Sequence, residues 1–420
     1  MKLPKLSASL FSILIALATT SCGKINSNYD SHFTEDGCLI QDSLSSQLKI
    51  ENPSSIKFFV EVSGSMNGFF RANKPTHFKS DVWQILSYYA PISPNVTVLT
   101  NDGNSGATLS MNNFQTQMNT GAFISQASTK VPVMIETILA NLDAENGEVA
   151  VLISDMKYSP VGSAAPQVLL TQYSTDISTI LGKYKQSVSL VCATSNYLDK
   201  SGNELCNRSP YYFLILGEAN HVISVRNGIS TLLQDRGHFI DNIESGIDYG
   251  SQQYSFGMSN RCNQLFDEPT FVDYEEPDIE YGDTCTIKLK VDLTKYRWLL
   301  ENETIFRKSF SIRPTYGSQV KIGNISYDIN TKKNNQLERE AIANVELKVF
   351  NMATESEVLV WNLNLPDTDY TLFYEFFDGA INENDVTKSY SVNDFIKGMF
   401  YGGVLNTQPS ENYILVSKNY

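Results

Sequence analysis

The chain has 420 residues, enough for about two or three domains. With 42% apolar and 19% charged residues, its composition is that of a folded protein and excludes a disordered one. Its net charge of −14 excludes a nucleic-acid surface, which needs Lys and Arg in excess.

The N-terminus has the pattern of a targeting segment. Lys2 and Lys5 form a positive start, and Leu10 to Ala18 is a short apolar run. Small residues, Thr19-Thr20-Ser21, then lead into Cys22-Gly23. This pattern resembles a bacterial lipoprotein signal over residues 1–22, with Cys22 lipidated and becoming the mature N-terminus. The residue three before the cysteine, often Leu in such signals, is Thr19. No other stretch reaches the roughly 18 apolar residues of a spanning helix. The expected protein is therefore an extracytoplasmic body of the bacterial cell envelope, periplasmic or at the cell surface, held to a membrane by lipid. Residues 23–53 are polar, without sustained period, and read as a flexible tether.

From residue 54 to 238 strand-like and helix-like runs alternate. Ile56–Val62 reads as a strand, and Val82, Ile85, Leu86 and Tyr89 recur at helical spacing. Val96–Leu99 reads as a short strand, followed by a Gly/Ser/Asn-rich loop over 103–113. Val131 to Leu142 is a helix pattern, and Glu148–Ile153 is a near-continuous apolar run, as suits a buried strand. A helix over Val168 to Tyr184, a strand over Val188–Cys192, a polar loop over 195–209, a strand over Tyr211–Leu216 and a helix over Val222 to Leu233 complete the series. This rhythm predicts an α/β unit: a parallel sheet with helices on both faces.

Residues 239–420 have a different texture: acidic, Tyr-rich and alternating. Thr286–Leu293, Ser309–Ile312, Val320–Ile322, Val345–Phe350, Val358–Leu363 and Tyr370–Phe376 read as strands of a β-rich, sandwich-like domain, closed by a helix near Val392–Phe400.

Chemistry concentrates where the first strand ends. Glu61-Val62-Ser63-Gly64-Ser65-Met66 places a carboxylate and two hydroxyls on a tight turn, at the sheet edge where open α/β folds bind ligands. Hard cations take such oxygens. The segment resembles the Asp-x-Ser-x-Ser start of a von Willebrand factor A (vWA) domain, particularly the Ser-Gly-Ser-Met form. The resemblance covers residues 54 to 238. It implies a Rossmann-like fold and a metal-ion-dependent adhesion site. That site is completed by a threonine from a loop entering a helix, matched by Thr129 (with Ser128 as the substitute), and by an aspartate ending a later strand, matched by Asp155. The implied metal ligands are thus Glu61, Ser63, Ser65, Thr129 and Asp155, the ion Mg2+ or Mn2+, and the partner a protein whose acidic residue fills the open coordination position. Glu61 stands where the family has aspartate. Its extra methylene pushes the carboxylate further into the site, so that it reaches the ion, reaches it through water, or spoils the site. Two functions follow: a vWA protein mediating adhesion or protein binding, or a metal-independent structural module of an envelope complex.

The remaining candidates carry less. With Cys22 set apart, Cys192 and Cys206 flank a polar loop, and Cys262 and Cys285 flank an acidic segment. These four are the disulfide candidates of an oxidising compartment, with Cys192 expected to pair with Cys206 and Cys262 with Cys285; the sequence leaves the connectivity open, and Cys38 is left over. The chain has no Cys-x-x-Cys, and His32, His77, His221 and His238 show no zinc spacing. No phosphate loop or nucleophile motif occurs. No carboxylate pair stands out as that of a glycan hydrolase. The expected protein is a binding protein and not an enzyme.

Overall fold

The computed structural model describes residues 33, 48–100, 105–123, 129–158, 166–248, 254–256, 272–274, 284–293, 303–329, 341–352, 356–363, 385–404 and 411–417. The leader with Cys22, together with Cys38, Cys262, Ser128, Tyr370–Phe376 and most of the acidic segment between Cys262 and Cys285, lies outside them.

Among these residues the α/β part is a seven-stranded sheet. Its strands are β1 (Ser55–Glu61), β2 (Asn95–Leu99), β3 (Ser105–Ser110), β4 (Glu148–Ser154), β5 (Ser187–Leu198), β6 (Glu204–Gly217) and β7 (Phe239–Ser245), in the order β3-β2-β1-β4-β6-β5-β7. β1 runs parallel to both β2 and β4. The other pairings, β2 with β3, β4 with β6, β5 with β6 and β5 with β7, are antiparallel. The sheet is therefore mixed, with a parallel centre, rather than the parallel sheet expected. The difference arises where the 195–209 loop was expected. β5 continues to Leu198 and β6 begins at Glu204, so the two form a long hairpin that inserts β6 beside β4.

The strand period of two explains the layering. On β4, Val149, Val151 and Ile153 face one core, while Ala150 and Leu152 face the other. The first core is covered by α1 (His77–Tyr89), α2 (Met111–Thr120) and α5 (Ala219–Asp235). The second is covered by α3 (Val131–Ala140) and α4 (Pro166–Tyr184). Every residue of β4 is buried, as a strand covered on both faces requires.

The C-terminal part is antiparallel. One sheet orders β12 (Gln319–Ile329), β13 (Ala341–Phe350), β10 (Thr284–Asp292) and β8 (Tyr254–Phe256), with β9 (Val272–Tyr274) also paired to β10. A second orders β11 (Phe310–Pro314), β14 (Ser356–Leu363) and β15 (Asn412–Ser417), and a short α6 (Glu303–Ser309) precedes β11.

Two features tie the halves together. β7 belongs to the first sheet, so that sheet runs past the expected boundary at residue 238. The last helix, α7 (Val392–Val404), packs back on α4. Its glycines permit this: a Cβ on Gly398 would lie 2.4 Å from the Ser174 carbonyl oxygen, and one on Gly402 would lie 2.7 Å from Leu181 Cβ. Phe33, within the expected tether, is buried against Val358, Val360, Tyr413 and Leu415 of the three-stranded sheet.

Candidate functional site

β1 and β4 are adjacent and parallel, so their carboxyl ends share one edge. Glu61 is the last residue of β1, and a 3-10 turn over Gly64–Gly68 follows it, carrying Ser65. Thr129 lies two residues before α3, and Asp155 lies one residue past β4. Glu61, Ser63, Thr129 and Asp155 are all at most 3% exposed, whereas Ser65 is only half-buried and Gly64 is exposed. The cluster therefore opens to solvent over the turn.

Contacts join the cluster. Thr129 Oγ1 donates to Glu61 Oε1 at 3.3 Å, and Ser154 Oγ donates to Glu61 Oε2. The Ser63 and Ser65 hydroxyls lie 2.9 Å apart. Ser154 was not among the expected site residues, although it was visible as the residue before Asp155. It also accepts the Met156 N–H at 2.7 Å, and Asp155 Oδ1 accepts the Lys157 N–H at 3.2 Å. Tyr197, near the end of β5, closes the other side. Its hydroxyl donates to the Ser65 carbonyl at 2.8 Å, and its ring fills the space a Cβ on Gly68 would need.

A fully buried carboxylate costs several kcal/mol unless it is paired or neutralised. Burial first, and then the charge of Asp155, push the Glu61 carboxyl up to about 8, while the Ser154, Ser63 and Thr129 hydroxyls pull it down. In the cation-free site Glu61 therefore holds a proton at neutral pH. Tyr173 is fully buried beside the cluster, its hydroxyl without a partner among the described residues and its ring stacked on Tyr158 at 4.2 Å. Burial holds its hydroxyl well above the ordinary value, with Tyr158, Glu61, Asp394 and Asp155 acting in the same sense.

The donor set is two carboxylates and three hydroxyls, all hard oxygens, which suits Mg2+ or Mn2+ and not zinc. Among the described residues no group of three or more His, Cys, Asp and Glu gathers to hold a metal. A cation at this site thus depends on the serine and threonine oxygens as well as on the two acids. The extra methylene of Glu61 takes its carboxylate to Thr129 and Ser154.

The cysteine and histidine expectations are changed by the fold. Cys192 stands opposite Tyr212 and Cys206 opposite Tyr197 in the hairpin. At about 3.3 Å a residue that offset exceeds the roughly 7 Å over which a disulfide forms, so spacing alone misled. Cys285 lies on β10 beside Tyr274 of β9. His77 and His238, 161 positions apart in the chain by their numbers, stack at 4.3 Å. His238 Nδ1 lies 2.8 Å from Asp81 Oδ2, which also accepts Tyr211 Oη at 2.8 Å, while Arg236 Nε donates to Asp81 Oδ1. This buried network ties α1 to β6 and to the end of α5.

Among the described residues no helix is long and apolar enough to cross a membrane. No family model, curated protein or solved structure matches the chain.

Proposed function

We propose that this chain is a lipid-anchored cell-envelope protein whose α/β unit, a vWA-like domain, binds a protein partner through the Glu61–Asp155 cluster, with Mg2+ or Mn2+ at its centre. The observation that carries this reading is convergence. Ser63 and Ser65 from the turn after β1, Thr129 from the entry to α3 and Asp155 from the end of β4 meet Glu61 at one partly open edge. Glu61, Ser63, Ser65, Thr129 and Asp155 would hold the ion, whose chemistry there is to bind an acidic group of the partner as a further oxygen ligand. The chain's own part is to present fixed oxygens, exclude bulk water from Glu61 and release its proton when the cation enters.

A second reading is a metal-independent assembly module. It is favoured by Glu61, whose carboxyl already accepts hydrogen bonds from the Thr129 and Ser154 hydroxyls. Capture of envelope proteins on the mature chain, with Mg2+ or with chelator, separates the two. The first reading expects a retained protein that chelator releases and Ser65→Ala loses. Retention indifferent to both refutes it and supports the second. Glu61→Asp adds a check, because a gain in Mn2+ affinity on that change means the native site has moved away from metal use.

A further inference from the structure

Asp155 is not held by the β4 ladder, which ends at Ser154. It stands at the head of a loop, Asp155 to Tyr158, that turns through Met156 with a φ of 57°. A non-glycine residue in that left-handed region costs about 1–3 kcal/mol and persists only where its surroundings fix it. Much of what fixes this loop lies far along the chain. Tyr158 N–H donates to Ser391 Oγ at 3.0 Å, across 233 positions. Lys157 Nζ donates to the Asp385 carbonyl at 3.0 Å. Tyr212, the ladder partner of Ser154, bonds the Ser389 hydroxyl. Ser391 is itself left-handed, with a φ of 69°, and its carbonyl accepts the N–H groups of Asp394 and Phe395 as α7 begins. Its hydroxyl also bonds the Tyr390 carbonyl. The Tyr158 ring meanwhile lies flat on Tyr173 of α4. Each segment thus holds one left-handed residue, and the Ser391 hydroxyl joins the two segments at Tyr158, three residues past Asp155.

We infer that Ser391, from the segment leading into α7, is a positioning residue of the candidate cation site, fixing the loop that carries Asp155. The inference rests on the reading of the Glu61–Asp155 cluster as a cation site. It also means that the α/β unit does not complete this site alone. The loop is set by a segment lying between β14 and β15, so whatever moves that segment moves Asp155.

The test is Mn2+ titration of the chelator-stripped full chain, together with hydrogen exchange at the Met156 and Lys157 amides, whose partners are Ser154 Oγ and Asp155 Oδ1. Ser391→Gly tolerates the left-handed backbone but deletes the hydroxyl. It is expected to lower Mn2+ affinity about tenfold, the lower end of the usual effect of residues that orient ligands. Ser391→Asn, which accepts the same backbone and restores an acceptor, is expected to bind as the wild type does. Ser245→Ala, which removes the bond from β7 to the Met399 carbonyl on α7, is expected to loosen the helix without changing the affinity. The two amides are expected to exchange faster in Ser391→Gly. Wild-type affinity in Ser391→Gly, or an equal loss in Ser245→Ala, overturns the inference. If the wild type binds no Mn2+, the cation reading fails by itself. Exchange then decides the positioning role: faster exchange in Ser391→Gly sustains it, and unchanged exchange overturns it.

Discussion

Glu61→Gln is the most informative single change at the cluster. It keeps the side-chain length and an oxygen for the Thr129 hydroxyl, and it removes the titration. In the cation-free folded chain the carboxyl titrates at about 8, against an ordinary value of 4.5. Between those values the folded state holds a proton that the unfolded state releases. Its contribution is therefore complete below about pH 4.5 and is lost as pH rises through about 8. At about 1.4 kcal/mol per pH unit, the ceiling on that loss is about 5 kcal/mol. Urea denaturation of the full chain in chelator, from pH 5 to pH 9, reads it directly. The wild type is expected to weaken across this range relative to Glu61→Gln, by up to a few kcal/mol at the alkaline end. Saturating Mn2+ is expected to cancel the wild-type decline, because the cation takes the proton's place. A difference between wild type and variant that stays constant with pH would refute the reasoning.

Three further expectations follow from the packing. Gly68→Ala places a Cβ 2.2 Å from the Tyr197 ring, so the ring must leave and its hydroxyl must release the Ser65 carbonyl. Thermal unfolding is expected to register about 1–3 kcal/mol of overpacking, and Mn2+ affinity is expected to fall with it. Asp81→Ala strips the shared acceptor from Tyr211, His238 and Arg236 and is expected to cost about 3 kcal/mol in urea denaturation, leaving cation binding intact. Gly398→Val forces the α7 backbone off Ser174 and Ile177, and is expected to raise protease cleavage around α7.

How far the sequence foretold this molecule differs by element. Glu148–Ile153 announced itself, because a strand buried on both faces must be apolar at every position, and β4 is Glu148–Ser154. The end of β4 was legible for the same reason, and the end of β1 showed where its apolar run meets Glu61. Thr129 and Asp155 were singled out as site residues only by the family resemblance. β3 was not legible, since Ser105-Gly106-Ala107-Thr108-Leu109-Ser110 carries no apolar alternation and owes its structure to pairing with β2 at the sheet edge. α2 (Met111–Thr120) begins within the same expected loop over 103–113 and runs past it, through residues where no element was expected. Strand order was hidden too. Local pattern shows that β5 and β6 are strands, but only their hairpin register puts β6 beside β4 and carries Cys192 away from Cys206. Ser389 and Ser391 gave no signal, because isolated serines before a helix read as caps, and their partners Tyr212 and Tyr158 lie 177 and 233 positions away.

The most direct measurement is calorimetry of Mg2+ and Mn2+ binding to the mature, chelator-stripped protein at pH 7 in buffers of different ionisation heat. The predicted result is one cation bound with release of about one proton from Glu61, binding that Asp155→Ala abolishes and Ser65→Ala weakens. No heat from either ion, or binding that both variants leave unchanged, would contradict a cation site at Glu61 and Asp155.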